Sequence, residues 1–281
     1  MTLYSERKRL ADLAQREAAG ENLWSMDVPP AARVKLVQIM NGTLTYQDFV
    51  RDDWDEVASA VRHARGVDHL IAGSTSRRGE VQSAVRSGDI GLLADVLEAT
   101  IAVIGEPWRS ESRGLFNDVL ASHRVAFEIV GDMVVEFESR EMHSKVVVPA
   151  LTLLGGDSRF SAVENAYQDA LRELASPTGA ANAITDAGTA LQEMLRALGC
   201  EGNAIGPLLK SARSKCLLGS SDQRLERSIA DAIEWVASDR STKGDTHNSE
   251  PAFRDDAWLT IHIVGALIIR LAQANPRGAV A

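Results

Sequence analysis

The sequence predicts a mainly α-helical protein in two parts: a helical N-terminal domain carrying one small β-hairpin, and a C-terminal helical bundle. Three observations carry this. Hydrophobic residues make up 45% and charged residues 25% of the chain, the balance of a folded protein, while aromatics are only 5%. Apolar residues recur three and four apart over most of the length, the spacing of an amphipathic helix. One stretch departs from that period and alternates around Gly131-Asp132. A chain of 281 residues also exceeds one small core, which favours two domains.

The elements follow in order. Leu3 to Ala18 reads as a charged helix. Pro29-Pro30 opens a second, because proline fits the first helical turn, and Val34, Leu36, Val37 and Met40 supply its apolar side. Asp52 or Asp53 caps a third, with Trp54, Val57, Val61 and Ala64. The stretch from Gly73 to Gly79 is polar and predicts a loop. Asp89 caps a helix over Ile90 to Ile104. The runs Arg124–Val130 and Met133–Phe137 flank Gly131-Asp132, a two-residue link of the hairpin kind. Helix resumes over Val146 to Leu154, and Gly155-Gly156-Asp157 marks the expected boundary between domains 1–156 and 157–281. The second part predicts helices over roughly 160–176, 179–199, 205–216, 222–239 and 252–275. Between the last two lies the most polar stretch, Asp239 to Pro251.

Bulk properties narrow the function. A net charge of −9 argues against broad duplex binding, since phosphate affinity comes from Lys and Arg. Cys200 and Cys216 lack zinc-ligand spacing and read as thiols in a reducing compartment. The charged N-terminal stretch has no apolar segment of signal-peptide type. The most apolar run, Ala257 to Leu271, is broken by Thr260, His262 and Arg270 and falls short of the roughly 20 residues a span needs. A cytoplasmic protein without a membrane span is the expectation. His63, His69, His123 and His143 lack metal-site spacing, and Gly114, Gly131 and Gly155-Gly156 form no phosphate loop. No metal or other cofactor is expected.

The residues that could carry chemistry flank the polar connection. Arg240 and His247 are separated by six residues. An imidazole titrates near neutrality and can move a proton at a ribose hydroxyl or a leaving oxygen. A guanidinium grips phosphate oxygens with two parallel donors and stabilises developing negative charge. By spacing alone the pair also fits a solvated loop in which Arg240 caps a helix end. Ser241, Lys243 and Asp245 lie between the two and are candidates for touching RNA. Lys210, Arg213, Lys215, Arg224 and Arg227 read as a charged helix face or a rim for RNA, and His262 as a packed helix residue.

The segment Arg240-Ser-Thr-Lys-Gly-Asp-Thr-His247 between two helices resembles the Arg-x4–6-His motif of HEPN domains, particularly those that end abortive-infection proteins. Leu191, Leu195 and Leu198 before Gly199, then Ile205, Leu208 and Leu209, extend the likeness over about 120 residues. Tyr4-Ser5-Glu6-Arg7, Pro29-Pro30 with Arg33, Phe127 to Ile129, His143 and Val147 to Leu151 resemble the N-terminal part of AbiJ-type proteins. Ser241, where Asn, Asp or His is commoner, and Asn248, where Gly often stands, depart from the pattern. The resemblance implies an antiviral-defence or toxin-like endoribonuclease. It would be a hydrolase of RNA that needs no metal and leaves a 2′,3′-cyclic phosphate. His247 would be its acid or base and Arg240 its phosphate-orienting group. It further implies a homodimer, or a higher homo-oligomer, through the C-terminal domain, with a composite site between copies. An antitoxin or phage trigger acting through the N-terminal domain is implied too. The alternative is a non-catalytic HEPN module for dimerisation or for binding RNA or a protein partner. The apolar last helix, with Trp258, Ile261, Val264, Ile268 and Leu271, is the residue-level argument for an oligomer.

Overall fold

The computed structural model describes residues 3–45, 53–74, 76–176, 178–218, 223–243 and 251–273. The fold is mainly helical with one two-stranded antiparallel hairpin, as the sequence predicts. The chain divides into two compact units, Met1–Glu138 and Ser139–Ala281. The segment from Ser139 to Gly156, placed with the first domain on sequence grounds, thus groups with the second unit. Its helix packs there on later helices through the buried Val147, Leu151 and Leu154.

The first unit contains α1 (Tyr4–Ala18), α2 (Pro30–Thr45), α3 (Asp53–Arg65), α4 (Arg77–Ser87), α5 (Ile90–Val103), α6 (Trp108–Ser122), β1 (Phe127–Val130) and β2 (Met133–Glu136). Its core gathers Leu36, Val37 and Met40 of α2 with Val57 and Val61 of α3, Leu93 and Leu97 of α5, and Phe116 of α6. Asp89 caps α5 by accepting from Leu92 N at 2.7 Å, as expected. The Gly73-to-Gly79 loop is shorter than expected. Ser76 accepts from Gly79 N at 3.1 Å and starts α4, which buries Val81, Ala84 and Val85. Glu80 of the same helix is buried. It accepts a forked contact from Arg62 and a bond from Leu70 N at 2.5 Å.

The hairpin pairs Phe127 with Glu136 and Val130 with Met133 across Gly131-Asp132. Gly131 adopts φ 62°, the left-handed value that glycine reaches without strain. A lone two-stranded hairpin is marginal in water, and here helices complete it. The Asn117 amide of α6 bonds both the N–H and the carbonyl of Ile129 at 2.8 Å. Glu98 of α5 accepts from Val134 N at 2.6 Å. The strand begins later than the β-rich run because Arg124 sits at φ 57° and turns the chain. Its guanidinium meets both oxygens of Glu17 at 2.6 and 2.7 Å, tying α1 to the start of the hairpin.

The second unit opens with α7 (Arg140–Met142), a π-helical turn over His143–Val147 and α8 (Val148–Gly155). Pro149 lacks the N–H that would continue the regular ladder into this turn. A 3-10 turn (Ser158–Phe160) precedes α9 (Ser161–Glu173), α10 (Ala180–Ala197), α11 (Ile205–Ser214), α12 (Gln223–Lys243) and α13 (Arg254–Ala272). The hub is α10, which packs on α9, α11, α12 and α13. Its inward positions combine Ala183, Ala187, Gly188 and Ala190 with Ile184, Leu191 and Leu195, so neighbouring helices approach closely. Gly265 of α13 serves the same end, since a methyl there would strike the Tyr167 hydroxyl. Trp258, Ile261, Val264, Ile268 and Leu271 are buried within the chain itself. Their apolarity therefore needs no second copy to cover it, and the oligomer loses its residue-level argument.

Candidate functional site

The sequence places Arg240 in a connection, but the structure places it on a helix. α12 runs on through Lys243 because its polar residues are absorbed locally: Ser241 Oγ donates to Ala237 O at 2.9 Å and Thr242 Oγ1 to Ser238 O at 3.0 Å. Arg240, Ser241 and Lys243 thus share the last turn of one helix. Asp245, His247 and Asn248 lie outside the described residues.

Arg240 is half-buried, and its stem crosses α10 over Gly188. A Cβ at residue 188 would come within 2.6 Å of Arg240 Cδ and 3.3 Å of its Cβ and Cγ. A helix-interior glycine costs about 1 kcal/mol relative to alanine, and this contact explains its presence. The guanidinium donates from Nη1 to Gln192 Oε1 at 2.8 Å. Among the described residues Arg240 makes no ion pair. Its hydrogen-bond partner is a neutral amide, and the Asp186 carboxyl of α10 lies near enough to feel its charge without forming an ion pair with it.

Lys243, one turn on, is in the opposite condition. Its ammonium sits 3.1 Å from Asp239 Oδ1 and 3.0 Å from Asp256 Oδ2. Asp239 is buried, and the Thr260 hydroxyl lies 3.2 Å from its other oxygen and 2.8 Å from the Asp256 carbonyl. Both carboxylates raise the Lys243 pKa and keep the ammonium charged. The cluster joins the end of α12 to the first turn of α13. Lys243 therefore has a structural task, and two negative charges offset its own. Ser241 is exposed on the outer side of the helix.

Asp186 of α10, not singled out in the sequence, completes the electrostatics. Burial pushes its carboxyl up to about 6, Asp169 and Glu173 of α9 push the same way, and Arg240 pulls it down. Such a group changes charge within the physiological range. The only sequence hint was an acid in a helix otherwise rich in Ala and Leu. Gly188 carried a better signal, being a glycine inside a strongly periodic helix. Gln192 carried none.

The other candidates have partners or settings of their own. Arg213 pairs with Glu234 of α12 at 3.3 Å, as part of a charged helix face. His262 stacks on Trp258 with ring centroids 5.3 Å apart, a packed position as expected. His143 is fully buried in the π turn. Among the described residues no group of three His, Cys, Asp or Glu side chains is placed to hold a metal ion, and no single helix is long and apolar enough to cross a membrane. No family model matches the sequence, and neither a curated protein nor a solved structure matches it at a significant level.

Proposed function

We propose that this chain is a metal-independent endoribonuclease whose site is built on Arg240 and His247, within a C-terminal helical unit of HEPN type. The observation that supports this best is the state of Arg240. It is a half-buried cation, oriented by a neutral partner and without an ion pair among the described residues. A partly desolvated guanidinium of this kind binds phosphate more strongly than one already neutralised. His247 follows six intervening residues later and supplies the proton chemistry.

In the proposed reaction a ribose 2′-oxygen bonds to phosphorus as the bond to the 5′-oxygen breaks. A base takes the 2′-hydroxyl proton, an acid protonates the departing 5′-oxygen, and His247 serves one of these roles. Arg240 holds the non-bridging oxygens as their charge grows. The cyclic 2′,3′-phosphate is the product. Pairing of two copies brings two such sets together in the HEPN arrangement. The N-terminal unit then restrains the nuclease or senses a trigger, and RNA, a second copy and an antitoxin are the partners in this reading of a cytoplasmic defence protein.

One observation favours a second reading. The neutralised Lys243 and the acids Asp186, Asp169 and Glu173 give the region little net attraction for a polyanion. A non-catalytic module for dimerisation or protein binding accommodates that. His247→Ala separates the two. The nuclease reading requires RNA cleavage by the wild type and its loss, by roughly 100- to 10,000-fold, in the variant. Cleavage at the wild-type rate by His247→Ala would remove the nuclease reading.

A further inference from the structure

Gly188 and Gln192 stand four residues apart, so they occupy one face of α10, the face that α12 crosses. Each meets a different part of Arg240. Gly188 receives the aliphatic stem, at distances that leave no room for a methyl group. Gln192 receives Nη1 on its amide oxygen at 2.8 Å. The other end of the same amide points its Nε2 at the Asn203 carbonyl, 3.4 Å away in the α10–α11 connection. That second contact fixes the amide's sense: a carbonyl accepts only from the nitrogen, so the oxygen is turned to the guanidinium.

The neutrality of Gln192 is the decisive feature. A carboxylate at this position would hold Arg240 at least as firmly, but it would offset the charge, as Asp239 and Asp256 offset that of Lys243. We propose that Gly188 and Gln192 form the seat of an anion site: they fix the guanidinium of Arg240 in place without an ion pair and leave its Nε and Nη2 donors for a phosphate monoester or diester. Both are positioning residues. The assignment rests on the reading of Arg240 as the phosphate-gripping group, and it names the residues that make it one.

The test uses the full chain, inorganic phosphate as the probe and an RNA oligonucleotide as substrate. The side-chain Nε–H resonance of Arg240, assigned by its loss in Arg240→Lys, reports the guanidinium directly. Phosphate should shift it in the wild type. Gln192→Glu should keep the melting temperature, keep Arg240 ordered and weaken phosphate binding at least about tenfold, because the added charge pairs with the guanidinium. Gln192→Met keeps the local charge and removes the acceptor. It should move the resonance toward that of a solvated arginine and lower kcat more than it raises KM, leaving the limbs of the pH profile in place. Phosphate binding in Gln192→Glu equal to the wild type would overturn the proposal, as would an unmoved Arg240 resonance in Gln192→Met. The two readings fail separately. If phosphate binds in a Gln192-dependent way while no RNA is cut, the seat stands and the nuclease assignment falls. If His247→Ala abolishes cleavage while Gln192→Glu cleaves normally, the nuclease stands and the seat falls. Gly188→Ala, a tighter but riskier change, is read only through the same Arg240 resonance, which should move.

Discussion

Replacing Asp186 with asparagine tests the electrostatics around Arg240 without touching the arginine. In the folded chain the carboxyl titrates at about 6 instead of the ordinary 3.8, mainly because it is partly buried and secondarily because Asp169 and Glu173 lie near. The folded state therefore holds this proton more tightly than the unfolded state. The sign follows: the contribution to stability is greatest below about 3.8, declines as pH rises, and is lost above about 6, where a charged carboxylate must sit in a poor environment. The interval between the two values corresponds to at most about 3 kcal/mol. The side chain is only half-buried, so solvent screening reduces this to about 1 kcal/mol. Asp186→Asn removes the penalty and keeps the shape. Thermal melts of the wild type and variant at pH 4 and pH 7.5 should show a gain of roughly 3 °C at the higher pH and a far smaller one at the lower. A destabilised variant at pH 7.5, or an equal shift at both values, would refute the reasoning. The first outcome would mean that Asp186 makes a favourable ionised contact; the second, that its effect is not electrostatic.

Other perturbations separate packing from chemistry. Arg240→Ala should lose RNA cleavage and also about 1 kcal/mol of stability, because its stem leaves Gly188 uncovered; a chemical denaturation curve checks the second part. Arg240→Lys should remain strongly impaired in cleavage, since an ammonium lacks the planar fork, and a single-turnover assay measures it. On the proposed reaction, in which His247 would move the proton and Arg240 would stabilise charge without a metal, cleavage should persist in EDTA; loss in EDTA with recovery on adding magnesium would redirect the assignment. In the first unit, Glu80→Gln should cost about 3 kcal/mol or more, because it leaves the largely buried Arg62 guanidinium without its carboxylate; calorimetry of the full chain would show the loss.

The sequence exposed the elements whose signals are local. The hairpin was legible because Gly131 at φ 62° is what a two-residue link requires. α5 was legible because Asp89 precedes a periodic run and does cap it. α4 was missed because its start is polar, and its cap, Ser76, lies inside a stretch that looks like loop. The sequence ends α12 at Asp239, where its most polar stretch begins; the structure keeps Ser241 and Thr242 helical by back-bonding to the preceding turn. Arg240 could be chosen from sequence, but not the surface that orients it. Gly188 and Gln192 are distant in the chain and meet Arg240 only through the crossing of α10 and α12. The role of Lys243 was hidden for the same reason: Asp256 reaches it from the far side of the connection. Helix periodicity says which face is inward, whereas which charge is balanced by which is settled in three dimensions.

The hairpin has a consequence for what the first unit can recruit. A bare ribbon of two strands offers unsatisfied main-chain groups along its flanks, and those groups invite further strands, from a peptide ligand or from another molecule. Here Asn117 occupies both groups of Ile129 on one flank, and Glu98 occupies the Val134 N–H on the other. A visiting strand would have to displace hydrogen bonds already formed, one of them to a carboxylate. The middle of the ribbon is thus already occupied on both flanks by side chains of the helices around it, which works against growth by strand addition there. Substituting Asn117 with leucine would free both main-chain groups of Ile129 on one flank, and the resulting protein should self-associate more readily through that flank than the native one does.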